Sequence, residues 1–151
     1  MLSDIQASVH WGLWGLFVSS FISATLAPGG SELLLAYLLS RENEPAWLLW
    51  LVATTGNTLG GASSFVLGLL VSKGRLSPER LLPNKNQKAL TFLHCWGASA
   101  LLLSWLPVLG DLLCVFAGWM RLSVLASVAA MSVGKGLRYA GVVYLYSWVD
   151  A

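Results

Sequence analysis

The run Leu101-Leu102-Leu103-Ser104-Trp105-Leu106-Pro107-Val108-Leu109-Gly110-Asp111-Leu112-Leu113-Cys114 decides the fold. It is a hydrophobic block with a break in its middle. Proline removes a backbone donor and clashes with the preceding turn, and glycine permits a tight reversal. The segment after the break, Leu112–Met120, is nine residues, about 12–14 Å of helix and about half a bilayer. The same design occurs earlier, where Ala27-Pro28-Gly29-Gly30-Ser31-Glu32 interrupts a block over 11–40 and the eight residues Leu33–Ser40 follow. Two readings compete for each block: a kinked full span, or a re-entrant hairpin that dips in and leaves on the same side. Non-helical backbone at membrane depth has to be covered by protein or line a wet cavity, so hairpins would need the other helices as cover.

The two breaks are copies. Thr25, Pro28 and Glu32 recur 79 residues later as Ser104, Pro107 and Asp111, with a small hydroxyl, the proline and an acid at the same mutual spacing. Gly56-Asn57-x-x-Gly60 recurs 78 residues later as Gly134-Lys135-x-x-Arg138. Each half therefore reads as a broken hairpin followed by a long apolar helix, Ala46–Val71 and Leu122–Val149, both beyond the ~20 residues that cross a bilayer. A hairpin plus a span crosses an odd number of times, so the second copy must be inverted. The expectation is an all-α integral membrane protein, an inverted repeat of two re-entrant helical hairpins and two transmembrane helices. It forms one domain, with repeat 1 at about 11–72, a basic loop at 73–88 and repeat 2 at about 89–149.

Composition supports that class. Of 151 residues, 56% are apolar and only 11% charged, where a soluble domain carries about a quarter charged residues. Mean hydropathy is +0.70. Eight Trp and four Tyr suit two lipid–water interfaces. The net charge of +2, scattered along the chain, argues against nucleic acid as a partner. The loop holds Lys73, Arg75, Arg80, Lys85 and Lys88 against Glu79 and should be cytoplasmic. Hairpins would place six cations inside, these five together with Arg121, and one, Arg41, outside; full spans would give five and two. No Lys or Arg precedes the first apolar stretch and no small-x-small site closes it, so that stretch is expected to stay in the mature protein. Cys95 and Cys114 read as buried small hydrophobes, and His10 and His94 lack ligand spacing, so neither a metal nor another cofactor is expected.

The candidate chemistry lies in four ionisable residues inside apolar blocks: Glu32, Asp111, Lys135 and Arg138. Each costs on the order of 2.5–3.5 kcal/mol at a helix centre, so they must pair, face a cavity or neutralise. Glu32 and Asp111 open their returning half-helices, where the dipole favours an acid. They either cap those helices or, as carboxylates in low dielectric that protonate more readily, carry protons. Lys135 and Arg138 share one helix face. They either form internal salt bridges or bind an anion, Arg138 as a bidentate fork and Lys135 as a point charge. Half-helix N-termini at the breaks could add backbone N–H groups to the same anion. Arg121 anchors a helix end or meets a lipid phosphate. Asn57 with Gly60 and Gly61 reads chiefly as close packing, and Thr25 and Ser104 as support. No nucleophile–base pair, metal set or phosphate-cradling loop marks an enzyme.

At these residues the sequence resembles the YqaA family of small bacterial inner-membrane proteins, within the DedA/VTT superfamily. The matching runs are Ser23-Ala24-Thr25-Leu26 through Pro28 and Ser31-Glu32, Gly56-Asn57 with Gly60-Gly61, residues 101–114 continuing to Ala117-Gly118-Trp119-Met120-Arg121, and Gly134-Lys135 with Leu137-Arg138-Tyr139. The resemblance implies opposed re-entrant hairpins in an inverted repeat, a multi-pass inner-membrane location, and lipid movement. Bacterial superfamily members are linked to recycling undecaprenyl phosphate, and eukaryotic ones are phospholipid scramblases. Larger relatives carry arginines around the proline of the second hairpin, where this chain has Ser104 and Gly110-Asp111. Arg121, Lys135 and Arg138 are the cations available to substitute. The expected function is translocation of an anionic phospholipid or lipid-carrier headgroup. Lys135, Arg138 and Arg121 would hold it, Glu32 and Asp111 would exchange protons, and a homodimer would help enclose the path. The alternatives are a proton-coupled transporter of a small solute and a non-transporting membrane scaffold or assembly factor.

Overall fold

The computed structural model describes residues 2–25, 30–41, 44–73, 87–106 and 109–149, with the backbone alone for residues 2–10 and 87–90. The break residues Pro28, Gly29 and Pro107 and residues 74–86 of the basic loop lie outside the described residues, while Lys88 at the loop's end falls within a helix. Those described are almost entirely helical: α1 (Leu2–Ser23), α2 (Gly30–Leu39), α3 (Ala46–Lys73), α4 (Gln87–Trp96), a 3₁₀ helix η1 (Gly97–Trp105), α5 (Leu109–Trp119) and α6 (Val124–Val149). The chain forms two compact units, residues 1–60 with 135–151, and residues 61–134. The units cut across the repeats. Each takes one hairpin, one part of α3 and one part of α6.

In the first unit α1 and α2 pack on one another. A methyl placed on Gly12 would lie 3.3 Å from Leu38 Cδ2. Along one continuous helix these two positions would be about 39 Å apart at 1.5 Å per residue. The chain therefore reverses between them, and the first block is a hairpin rather than a kinked rod. Its core joins Leu16 of α1, Leu35 and Leu39 of α2, Leu49 and Ala53 of α3, and Tyr139 of α6. Gly56 and Gly60 let α3 close on α1, since a methyl on either would sit 2.6 Å from a backbone carbonyl, that of Phe17 or Phe21.

The second unit holds the other hairpin, with η1 and α5 packed together. Gly110 is the contact point, for a Cβ there would lie 2.3 Å from Ser104 O. Two features depart from a plain helical arm. A further helix, α4, precedes the break, and a left-handed Gly97 (φ 54°) opens η1 directly after it. Nine residues of 3₁₀ helix cover about 18 Å against about 14 Å for α, so η1 is a stretched arm. The core is Phe65, Leu93, Ala100, Leu101, Leu113, Cys114, Phe116, Ala117 and Met131. Cys114 is buried as expected, but Cys95 is exposed, because α4 turns Leu93 inward and His94, Cys95 and Trp96 outward.

The long helices differ from expectation in one respect. They run 28 and 26 residues, yet no helix among the described residues is long and apolar enough to cross a membrane. In α3 the interior holds Thr54, Thr55, Gly56, Asn57, Thr58, Gly60, Gly61, Ser63 and Ser64, and in α6 it holds Lys135 and Arg138. Large apolar side chains nevertheless face outward, among them Trp11, Leu33, Leu125 and Leu137.

The tightest backbone contact lies between α3 and α5, where a Cβ on Gly118 would stand 1.8 Å from Phe65 O and one on Gly68 would stand 2.0 Å from Val115 O. Gly118→Ala is expected to lower stability by about 1–3 kcal/mol, because two helix backbones must part. Gly15→Ala, with open space around it, should be neutral or slightly stabilising. Thermal unfolding of the purified variants in detergent checks the contrast, and equal melting temperatures would refute the contact.

Candidate functional site

The first unit gathers Glu32, Asn57, Lys135 and Arg138, together with Ser31 and Tyr139, which the sequence reading had not singled out. Lys135 is buried to 1% exposure within α6, and its Nζ donates to Asn57 Oδ1 on α3. Asn57 Nδ2 in turn donates to Tyr139 Oη at 2.6 Å. The phenol shares a 2.8 Å bond with Ser31 Oγ, at the start of α2. A phenol has one proton and two acceptor sites, so having accepted from Asn57 it can donate to Ser31. The result is a polar chain through three helices. Ser31 and Tyr139 are 0% exposed and Asn57 is 2% exposed. Nearby, Trp50 Nε1 donates to Gly136 O at 2.8 Å and fixes the same stretch of α6.

Beside that chain, Arg138 Nε donates to Glu32 Oε1 in an ion pair whose side chains are 13% and 32% exposed. Consecutive residues of α2, Ser31 and Glu32, are thus bonded to consecutive residues of α6, Tyr139 and Arg138. Two polar bonds clasp the start of α2 to α6. The acid stands in the first turn of its helix, as expected, and is answered by a guanidinium.

The remaining candidates belong to the second unit. Asp111 is half-buried in the first turn of α5. Ser104 is buried, and its hydroxyl has no hydrogen-bond partner among the described residues. Gly134 lies against it, since a Cβ there would be 2.9 Å from Ser104 Oγ. Arg121 is exposed and left-handed (φ 55°), a region usually left to glycine. It ends α5 in a Schellman turn, with Arg121 N bonded to Gly118 O and Leu122 N to Ala117 O. Its guanidinium reaches Ser72 at the C-terminal end of α3, Nε to Oγ at 3.2 Å and Nη2 to the carbonyl at 3.5 Å. That helix end attracts a cation. Back in the first unit, Thr25 is exposed and its hydroxyl bonds Ile22 O at the end of α1.

Tyr139 and Ser31 escaped the sequence reading because a tyrosine in an apolar helix reads as an interface ring, and a serine beside Gly30 reads as part of a turn. The available signal was adjacency: both neighbour ionisable residues already under suspicion.

This is an all-helical protein with charged residues drawn into its core and leucines and tryptophans on its outside. It is 49% identical over 131 residues to "Inner membrane protein YqaA" of Escherichia coli strain K12, covering 86% of this chain and 87% of that one. The Shigella flexneri protein of the same name matches to the same extent. An uncharacterized protein of Haemophilus influenzae strain Rd is 39% identical over 137 residues, 86% of this chain and 84% of the other. No family model and no solved structure matches the chain. The chain belongs to the YqaA family of bacterial inner-membrane proteins. A lipid surrounding accounts for its apolar exterior.

Removing the phenolic oxygen should cost more than one hydrogen bond, because it strands both Asn57 Nδ2 and Ser31 Oγ in a dry interior. Tyr139→Phe is expected to lose about 1–3 kcal/mol of stability. Adding Ser31→Ala to it should cost less than the sum of the single changes. Additive losses in a double-mutant cycle would show that the two groups do not act together.

Proposed function

We propose that this protein moves the anionic headgroup of a phospholipid or lipid carrier such as undecaprenyl phosphate across the inner membrane, as a member of the DedA/VTT superfamily whose two hairpins are re-entrant. The observation that carries the reading is the placement of Lys135 and Arg138 on one face of α6, with 1% and 13% of their side chains exposed. Two cations so far from water must pair, face a cavity or meet an anion, and the last is the use we assign them. Arg138 supplies a planar fork suited to phosphate oxygens, and Lys135 supplies a point charge one turn away. Glu32 and Asp111 serve as the groups that exchange protons, and Arg121 meets headgroups at the end of α5. No bond of the substrate is made or broken.

Reconstitution tests this directly. Liposomes holding the protein should move fluorescent phospholipid or polyprenyl phosphate between leaflets, with a dependence on the pH gradient. Lys135→Ala and Asp111→Asn should abolish movement while leaving insertion intact. Full activity in both variants would defeat the mechanism. Uptake of a water-soluble anion with no lipid movement would favour the small-solute transporter.

The Arg138–Glu32 pair also supports the scaffold reading, in which buried charges only join helices. That reading requires the exchanged pair, Glu32→Arg with Arg138→Glu, to restore both stability and phenotype. The transport reading expects stability to return without lipid movement.

A further inference from the structure

Arg138 is nearly buried, yet Glu32 meets only one of its three nitrogens. The single ion-pair contact is made through Nε, and among the described residues neither terminal nitrogen has a hydrogen-bond partner. Four N–H donors of a guanidinium that is only 13% exposed therefore have no partner among the described residues. Neither terminal nitrogen is among the fully buried atoms that lack a partner, so an acceptor arriving from outside can reach them. The partner that reaches it is the more exposed member of the pair, at 32%, and lies on the short arm α2 rather than on a long helix. The clasp does not depend on it alone, for the neighbouring Ser31–Tyr139 bond also ties the start of α2 to α6.

Resting on the headgroup reading above, we propose that Glu32 is the resident anion of an exchange site, and that an incoming phosphate monoester displaces its carboxylate from Arg138. A phosphate presents three acceptor oxygens and can span both terminal nitrogens, which one carboxylate oxygen on Nε does not. The exchange improves the hydrogen bonding of a nearly buried cation while keeping its charge compensated. The carboxylate, already partly exposed, swings toward the accessible side. Ser31 and Tyr139 keep the start of α2 docked while this happens. In the absence of ligand Glu32 holds the site closed to weak anions, and only an anion that matches the guanidinium fork better than a carboxylate can enter.

The test is binding of dodecyl phosphate, and separately of inorganic phosphate, to the purified protein in detergent. Glu32→Gln should bind about tenfold more tightly than the native protein, roughly the worth of one charge-assisted hydrogen bond removed from the competition. The gain should vanish in Glu32→Gln with Arg138→Gln. Ser31→Ala, which loosens the same contact without removing the carboxylate, should bind within about twofold of native. A tenfold gain in Ser31→Ala as well would mean that loosening α2 is the cause, and would overturn the exchange. Unchanged or weaker binding in Glu32→Gln, while Arg138→Gln loses affinity, would also overturn it and leave the headgroup site standing. If neither Arg138→Gln nor Glu32→Gln alters binding, the site itself fails and the exchange fails with it. A gain for both probes assigns the site to phosphate as such, and a gain for dodecyl phosphate alone assigns it to a lipid headgroup. Should Glu32→Gln not fold, Glu32→Asp, which draws the carboxylate back by one methylene, should show a smaller gain of the same sign.

Discussion

A lysine with 1% of its surface exposed constrains the rest of the first unit. An ammonium cannot be left dry without acceptors, and each acceptor brought to it is a polar group that needs partners of its own. Lys135 draws in the carbonyl oxygen of Asn57, the amide nitrogen then needs Tyr139, and the phenol then needs Ser31. One charge in α6 thereby specifies an asparagine in the middle of α3 and a serine at the start of α2. It also accounts for one polar residue in the interior of each of two helices of bilayer length, Asn57 and Tyr139. At position 57, where a simple anchor would have leucine, stands the group that solvates a cation.

That solvation depends on backbones approaching closely, which glycine makes possible. Gly56 and Gly60 bring α3 onto α1, and Gly68 and Gly118 bring α3 onto α5, at distances that leave no room for a methyl. Between helices surrounded by lipid no hydrophobic force drives association, so close van der Waals contact and polar bonds must supply it. The glycines and the polar chain are two parts of one solution. A hydrogen bond from Asn57 to Tyr139 at 2.6 Å needs a unit in which α3 is seated firmly against its neighbours.

Much of this was legible in the sequence because the repeat spacing is rigid. A proline and an acid four residues apart, found twice, mark a reversal followed by a helix start. Glu32 and Asp111 do stand in the first turns of α2 and α5. The choice between hairpin and kinked rod was not legible, because both obey the same local rules and only the meeting of Gly12 with Leu38 separates them. Asn57 was read mainly as packing, since its partners lie 78 and 82 residues away and no periodicity points to them. The left-handed Arg121 and the 3₁₀ arm were hidden for a related reason. Each follows from how a chain must turn to meet a distant neighbour, which local propensity does not encode.

The repeat also shows how two similar halves came to differ. Asn57 and Lys135 occupy matching positions in their repeats and are bonded to each other. A neutral amide at one position and a cation at the other make a donor–acceptor pair that two lysines could not. Three residues further on, the first repeat has Gly60 and the second has Arg138. Gly60 seats α3 against Ala24 and Phe21, whereas Arg138 answers Glu32. Glu32 and Asp111 are therefore not interchangeable, although the sequence places them alike. The arginine that holds Glu32 has a glycine as its repeat mate, so the two halves have diverged at that position.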